Sequence, residues 1–477
     1  MARLKPYTIE KAEIVATASD GYGIVKTDGK VTFIPYAVPG DIADVLINRK
    51  KRKLFFGEIT QMHEPSPDRT EPRCEHFGLC GGCKWQMMTY AKQLRIKQQQ
   101  VTDAMERVGK VEAKEKRDIL GVVEPWFYRN KLEFSFSAKP WLTREQIASG
   151  EVFDEPALGF HVPGVFEKVF TVKKCHLQRE IVNDIRNAVH AFGTENDIPF
   201  YDIKAHTGFL RQLMFRTSEA TGELMVVLVV GKNEPKTIEK VFKHLEANFD
   251  EHISSYVWIH SDKLNSSFSD LPYTTWKGPA YITEKLDDYA FHISPTSFFQ
   301  TNPKQAHVLY SVVRDWMKEF LPEGQEQWNT VYDLYSGTGS IGIFVSKLAK
   351  KLVGIEYVQS SVDDAHRNVA LNGLEGKFSF YAGDMKKLLD DALVAKEGRP
   401  ELIIADPARA GMDPAVIDQL LKIAPDHIIY VSCKPATQAR DIALLETQYE
   451  LMRIQPVDMF PHTAHVENVA WLKRIDN

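Results

Sequence analysis

Three of the five cysteines fall within ten residues, Cys74, Cys80 and Cys83 in "CEHFGLCGGC", while Cys175 and Cys433 stand alone. The C-x5-C-x2-C spacing, with Cys175 of "VKKCHLQ" as a distant fourth thiolate, can hold either zinc or an iron–sulfur cluster, because both accept four sulfur ligands. Spacing leaves that choice open. Cys433 lies in "IIYVSCKPATQARD" at the expected end of a strand, with a cation, Lys434, that favours the thiolate and a proline, Pro435, that breaks the strand and can expose the thiol. Glu467 lies in "FPHTAHVENVAWL", beside His462 and His465 and just before an apolar run, a setting in which a carboxylate is a candidate acid or base. One cysteine and one carboxylate are thus set apart from the four-thiol group.

A second constellation is glycine-rich. "VYDLYSGTGSIG" reads as a strand, a turn with Gly337, Gly339 and Gly342, and the start of a helix, where glycine lets backbone approach a ligand closely. Glu356 closes the next strand in "VGIE", where a carboxylate can accept from two ribose hydroxyls, and Asp384 closes the third in "YAGD", where it can receive an adenine amino group. These features specify a nucleotide cofactor. Asp333 narrows it: Asp-x-x-x-Gly-x-Gly looks like the first motif of S-adenosylmethionine methyltransferases, whose cofactor has no pyrophosphate to cradle. S-adenosyl-L-methionine is the expected cofactor.

The elements that must position these groups form three blocks. At 477 residues the chain is too long for one core. Residues 1–62 alternate short strands with "DGYG", "DGK" and "VPGD" turns, expected to form a five-stranded antiparallel barrel of the kind that carries oligonucleotides. Residues 63–290 hold a proline- and charge-rich linker, the cysteines, a helical stretch "MMTYAKQLRIKQQQVTDAMERVG" and mixed α+β patterning. There Leu132, Phe134 and Phe136 alternate as inward positions, and "LMVVLVV" is a buried strand. Residues 291–477 alternate strands and helices, the rhythm of an α/β doubly wound parallel sheet.

Composition is that of a globular protein, 44% hydrophobic and 26% charged. The net charge of −5 is uneven: residues 1–60 hold ten Lys and Arg against seven Asp and Glu, including the unbroken run "RKKRK" at 49–53, a candidate phosphate contact. The opening "MARLKPYTIEKAE" has no apolar leader segment, so cytoplasmic residence is expected, where thiols stay reduced and serve metals or catalysis.

A thiolate and a carboxylate beside a methyl donor have a specific use. Carbon-5 of uracil is too weakly nucleophilic to take a methyl group, but a thiolate added at carbon-6 makes it an enolate carbon. A general base must then remove the carbon-5 proton so that the sulfur can leave. Cys433 and Glu467 supply those two functions.

With "SFFQTN" at 297–302, "DLYSGTG", "ADPARAG", "YVSCKP" and "FPHTAHVE", the chain resembles the bacterial RNA 5-methyluridine methyltransferases from end to end, especially the iron–sulfur enzymes that act on 23S ribosomal RNA. The resemblance implies an N-terminal TRAM domain that binds RNA and a C-terminal Rossmann-like methyltransferase domain. It places Gln300, Tyr335, Glu356 and Asp406 at cofactor-binding positions, Ser340 in the same loop, Cys433 at the nucleophile and Glu467 at the proton acceptor. It makes Cys74, Cys80, Cys83 and Cys175 the ligands of a [4Fe-4S] cluster with a structural role. Two departures stand out: Ala408 where the family often has proline, and Ser340 where some members carry asparagine. The expected partner is a uridine-containing loop of 23S ribosomal RNA, flipped out of its stack to reach the thiol, with Arg129 and Lys131 as candidate phosphate contacts and Phe298 and Phe299 near the cofactor. A monomer is expected. The alternatives are a transfer-RNA uridine methylase of the same family, whose members typically lack barrel and cysteines, and a non-catalytic ribosome-assembly factor.

Overall fold

The computed structural model describes residues 4–151 and 153–475. Its N-terminal unit is a six-stranded sheet, ordered Tyr7–Glu13, Ile42–Lys51, Leu54–Glu64, Lys30–Ile34, Gly23–Thr27 and Ala16–Thr17, around a small core of Ile14, Val25, Ile34, Val45 and Ile47. The turn-delimited strands form as their alternation predicts, with two differences: the sheet has six strands where five were expected, and Lys30–Ile34 runs parallel to Leu54–Glu64. Periodicity reports which side chains face inward but is blind to strand direction. The basic run occupies the end of the hairpin between Ile42–Lys51 and Leu54–Glu64, where Arg49 stands opposite Phe56.

The middle of the chain builds a seven-stranded sheet in which Leu132, Phe134 and Phe136 are buried as their alternation requires. The strand Leu224–Val230 is buried along its whole length, because Leu210–Thr217 and Ser255–His260 flank it. Ahead of this sheet runs helix α1 (Tyr90–Asp103), capped by the Thr89 side chain and prolonged by a wider turn over Ala104–Gly109. Its buried positions are Gln93, Lys97 and Val101, a stripe at four-residue spacing in which two members are polar.

The C-terminal sheet contains β1 (Trp328–Leu334), β2 (Ala349–Glu356), β3 (Phe378–Ala382), β4 (Leu402–Ala405), β5 (His427–Ser432), β6 (Tyr449–Val457) and β7 (Glu467–Arg474), in the order β3-β2-β1-β4-β5-β7-β6. β1 to β5 are parallel; β7 inserts antiparallel between β5 and β6. The strand order reverses between β1 and β4, so a ligand crevice opens at the carboxyl ends of these strands. Packing this sheet are α2 (Pro303–Glu319), α3 (Ser340–Val345) and α4 (Pro435–Leu445). Several segments cross the expected boundary at 290, among them α1, whose Val101, with Ala104 and Met105 just after it, packs into the core of the C-terminal sheet. The strand Glu115–Lys116 pairs with the outer edge of β6, and the hairpin Ile282–Ile293 packs its apolar face into the core beside the C-terminal sheet, with the Tyr289 hydroxyl 3.0 Å from Ser346 Oγ. Among the described residues, no helix is long and apolar enough to cross a membrane.

Candidate active site

The residues singled out in the C-terminal block gather at one end of its sheet. Tyr335, Glu356, Asp384, Asp406 and Cys433 each stand at or just past the carboxyl end of β1, β2, β3, β4 and β5 in turn. Glu467 joins them from the opposite direction as the first residue of the antiparallel β7. Ser432 pairs with Asn468, so Cys433 and Glu467 lie side by side at the same sheet edge although 34 residues apart in sequence. That neighbourhood is braced from below: Gln438 of α4 donates to Tyr430 O at 2.8 Å and Asn468 O at 3.1 Å, and accepts from Asn468 Nδ2 at 2.7 Å.

The cofactor loop has the features its glycines imply. Tyr335, Gly337 and Gly339 all have positive φ, and the Glu356 carboxylate accepts from Gly337 N at 3.0 Å and Val358 N at 2.9 Å. A Cβ at Gly342 would come within 2.9 Å of Asp333 Oδ2, which accepts from the Gly342 amide, so any larger residue here must displace that carboxylate. Ser340 Oγ bonds the Tyr310 hydroxyl of α2 at 2.9 Å. A cavity of about 490 Å³, lined among others by Tyr335, Tyr357, Asp384 and Met385, opens beside the loop. These features suit an adenosine-bearing ligand with no phosphate. Gln300 is buried with its backbone carbonyl held by Asn130. Of the adjacent aromatics, Phe299 is core and Phe298 is 64% exposed toward solvent.

Burial and mutual repulsion set the site's acidity. Glu467 is fully enclosed and its pKa rises to about 8, first by desolvation and then by the Asp406 charge, with Arg409 opposing. Asp406 and Asp333 rise to about 7, both chiefly through desolvation. The Cys433 thiol, partly exposed, is pushed up to about 11 by burial and by Glu467 and Asp406, while Arg409 pulls it down. Sequence inspection missed this role of Arg409; its only signal was a basic residue three places after Asp406 in "ADPAR". Lys434, expected to act on the thiol, is exposed. The two histidines also part company. His465 contacts Arg409 Nη2 at 3.2 Å, whereas His462 turns its ring away to stack on Trp126 with centroids 4.0 Å apart.

The four remaining cysteines also converge. Cys74, Cys80, Cys83 and Cys175 line one cavity of about 150 Å³ together with His76, Arg129 and His176. Each thiol is held up by burial, Cys83 to about 12 and Cys175 to about 11, and each is further raised by one or more of the others or relieved by backbone amides. Gly81 has φ +71°, and a Cβ there would meet Pro163 at 2.5 Å, which is why the C-x2-C turn carries glycine. His76 Nε2 accepts from Lys173 N at 2.9 Å, tying the two cysteine segments together, and Asn183 Oδ1 accepts from Cys175 N at 2.8 Å within the second. Among the described residues no group of three or more His, Cys, Asp or Glu forms a site for a metal ion. Of the basic residues expected to meet phosphate, Lys131 is paired with Glu133 at 2.7 Å and Arg129 lies over the Phe460 ring.

Comparison with known proteins gives consistent results. The tRNA (uracil-5-)-methyltransferase family matches residues 385–475, and the TRAM domain matches residues 8–60. An uncharacterized RNA methyltransferase of Bacteroides thetaiotaomicron is 44% identical over 460 residues, covering 96% of this chain and 99% of that protein. One from Porphyromonas gingivalis is 43% identical, covering 97% and 99%. Among solved structures, the Pyrococcus abyssi tRNA (uracil-54, C5)-methyltransferase in complex with S-adenosyl-L-homocysteine superposes with a TM-score of 0.71 at 27% identity, covering 96% of this chain and 99% of that one.

Proposed function

Because the chain belongs to the RNA methyltransferases of the uracil-5 family that carry a TRAM domain, we propose that it methylates carbon-5 of a uridine in 23S ribosomal RNA through a covalent cysteine adduct. It is an S-adenosylmethionine-dependent methyltransferase. The observation that carries the mechanistic reading is the pairing of a partly exposed thiol, Cys433, with an enclosed carboxylate, Glu467, across β5 and β7 at the same sheet edge as the cofactor loop.

In that reading Cys433 Sγ adds to carbon-6 of the flipped uracil, and the ring electrons shift to an enolate stabilised by the cationic Arg409 nearby. When bound, S-adenosylmethionine supplies the methyl group as an electrophile for carbon-5. Tyr335, Glu356 and Asp384 would hold its adenosine, and Gln300, Ser340 and Asp406 its other end. Glu467 then accepts the carbon-5 proton; the C–H electron pair restores the 5,6 double bond, the C6–S bond breaks, and Cys433 recovers its thiolate. The TRAM sheet supports an RNA substrate with more than net charge: Tyr22, Phe33 and Phe56 form a ring cluster, and the Arg49 guanidinium sits 4.3 Å over Phe56, a surface suited to bases and phosphates.

Cys74, Cys80, Cys83 and Cys175 would hold a [4Fe-4S] cluster, whose service here is to fasten two segments of chain. The four thiols line one cavity, the donor set such a cluster takes, and the resemblance to the iron–sulfur enzymes favours it over zinc. Protein purified without oxygen should contain about four irons per chain; one zinc per chain and no iron would overturn it.

A second reading, a transfer-RNA uridine as substrate, is favoured by the Pyrococcus abyssi likeness: a protein named as a tRNA methylase matches nearly the whole chain, so architecture alone does not select ribosomal RNA. Incubation with methyl-labelled cofactor and RNA from cells lacking this protein separates them. Label in 23S RNA as 5-methyluridine is expected; label confined to transfer RNA transfers the substrate to the second reading, and no label in either leaves only the assembly-factor role.

A further inference from the structure

We propose that Lys97, buried on the inner face of α1, is a positioning residue that sets the loop carrying Glu467 and thereby acts on the elimination step. This rests on the role of Glu467 given above. The loop spans residues 458–466 between β6 and β7, and its two ends meet where Val457 pairs with Glu467, so a shift at Asp458 is passed directly to the start of β7. Lys97 and Asp458 are both fully buried and joined at 2.6 Å, an ion pair with no solvent to replace either partner. Lys97 Nζ also donates to Phe460 O at 2.9 Å, and the Tyr90 hydroxyl donates to the other Asp458 oxygen at 2.9 Å.

The rest of the loop is held in the same manner. Five consecutive carbonyls accept from other parts of the chain: Asp458 O from Gln305, Met459 O from Asn302, Phe460 O from Lys97, Pro461 O from the Tyr128 hydroxyl, and His462 O from the Lys84 and Trp85 amides. Gln93, one turn before Lys97 on the same stripe, accepts from His462 N at 2.8 Å and donates toward its ring at 3.2 Å, with His462 in the left-handed region at φ +63°. An apolar α1 stripe would bury as well, but it would leave the loop without the buried charge partner that Lys97 gives Asp458. The polar stripe therefore holds the loop, and the loop carries the base. Cys433, by contrast, is borne by β5 and α4, and among the described residues none of the hydrogen bonds that hold the loop reaches it directly.

That division makes the role visible by reaction step. Full-length protein is given RNA containing uridine tritiated at carbon-5, so that elimination releases tritium, and adduct formation is followed separately with 5-fluorouridine RNA on denaturing gels. For Lys97→Met, tritium release should fall about 100-fold, the size of effect that a displaced catalytic group produces. Adduct should accumulate on ordinary uridine RNA while its rate of formation holds. Equal losses in both steps, or no loss in either, would overturn the proposal. Should Lys97→Met lose its cooperative melting, Asp458→Asn reads the same loop, since it keeps the volume and the Tyr90 contact but removes the countercharge, and the same two outcomes decide. Glu467→Gln is the control. If it releases tritium normally, the assignment of the base has failed; if it stalls and the Lys97 and Asp458 variants do not, the positioning role alone falls.

Discussion

Replacing Cys433 by alanine should abolish methylation, with a loss of about 10⁴-fold or more, because removing a covalent nucleophile removes the whole pathway and not one stabilising contact. The variant should also fail to form a denaturation-resistant complex with 5-fluorouridine RNA, while still binding RNA and cofactor. The structure gives reasons to expect so clean a result. Cys433 is partly exposed at the end of β5, its neighbours Ser432 and Val431 are buried in the sheet, and its side chain supports no core cluster, so truncation costs little packing. A Cys433→Ala protein that still methylates would remove the covalent mechanism at a stroke. The free thiol, raised to about 11, is protonated at neutral pH, so the thiolate must form as substrate arrives, with Arg409 as the cation at hand.

Glu467→Gln should stall after methyl transfer. Release of finished RNA should slow by roughly 10²–10⁴-fold, the range that a positioned base contributes, and methylated RNA should remain covalently attached to Cys433. The pH dependence provides an independent check. With its pKa raised to about 8 from an ordinary 4.5, Glu467 is mostly protonated at pH 7 and cannot accept a proton. In the parent enzyme the single-turnover rate of product release should therefore climb as pH rises toward about 8, and this limb should vanish in the glutamine variant. Stability moves the opposite way. A carboxyl whose folded pKa lies above its unfolded value stabilises the fold at low pH, and that contribution is lost as pH rises from 4.5 to about 8. The melting temperature of Glu467→Gln should thus gain on the parent over that interval. Prompt product release by the variant, or an unchanged pH profile, would assign the proton to another group.

Much of the site was legible in the sequence because its parts are local. Glycines after β1, an acid at the end of β2 and a cysteine at the end of β5 are each defined within a strand and its following turn, and strand periodicity placed all of them at one sheet edge. The same locality explains the failures. "FPHTAHVE" puts His462 close to Glu467 along the chain, but a left-handed residue and a nine-residue loop turn its ring toward Gln93 and Trp126 instead. Lys434 adjoins Cys433 in sequence, yet the cation that acts on the thiol comes from the turn after β4.

The sequence alone named the candidate reacting groups, the cofactor class and the inward face of most strands, since these depend on residue type and on periods of two and 3.6. Only the tertiary structure decided that β7 runs backward to bring Glu467 beside Cys433, that four thiols share a cavity, and that Lys97 meets Asp458 across 361 residues. Such contacts follow from how sheets and helices pack once formed. A buried charge is stable only where a partner happens to be delivered, and no local pattern records which distant segment will deliver it.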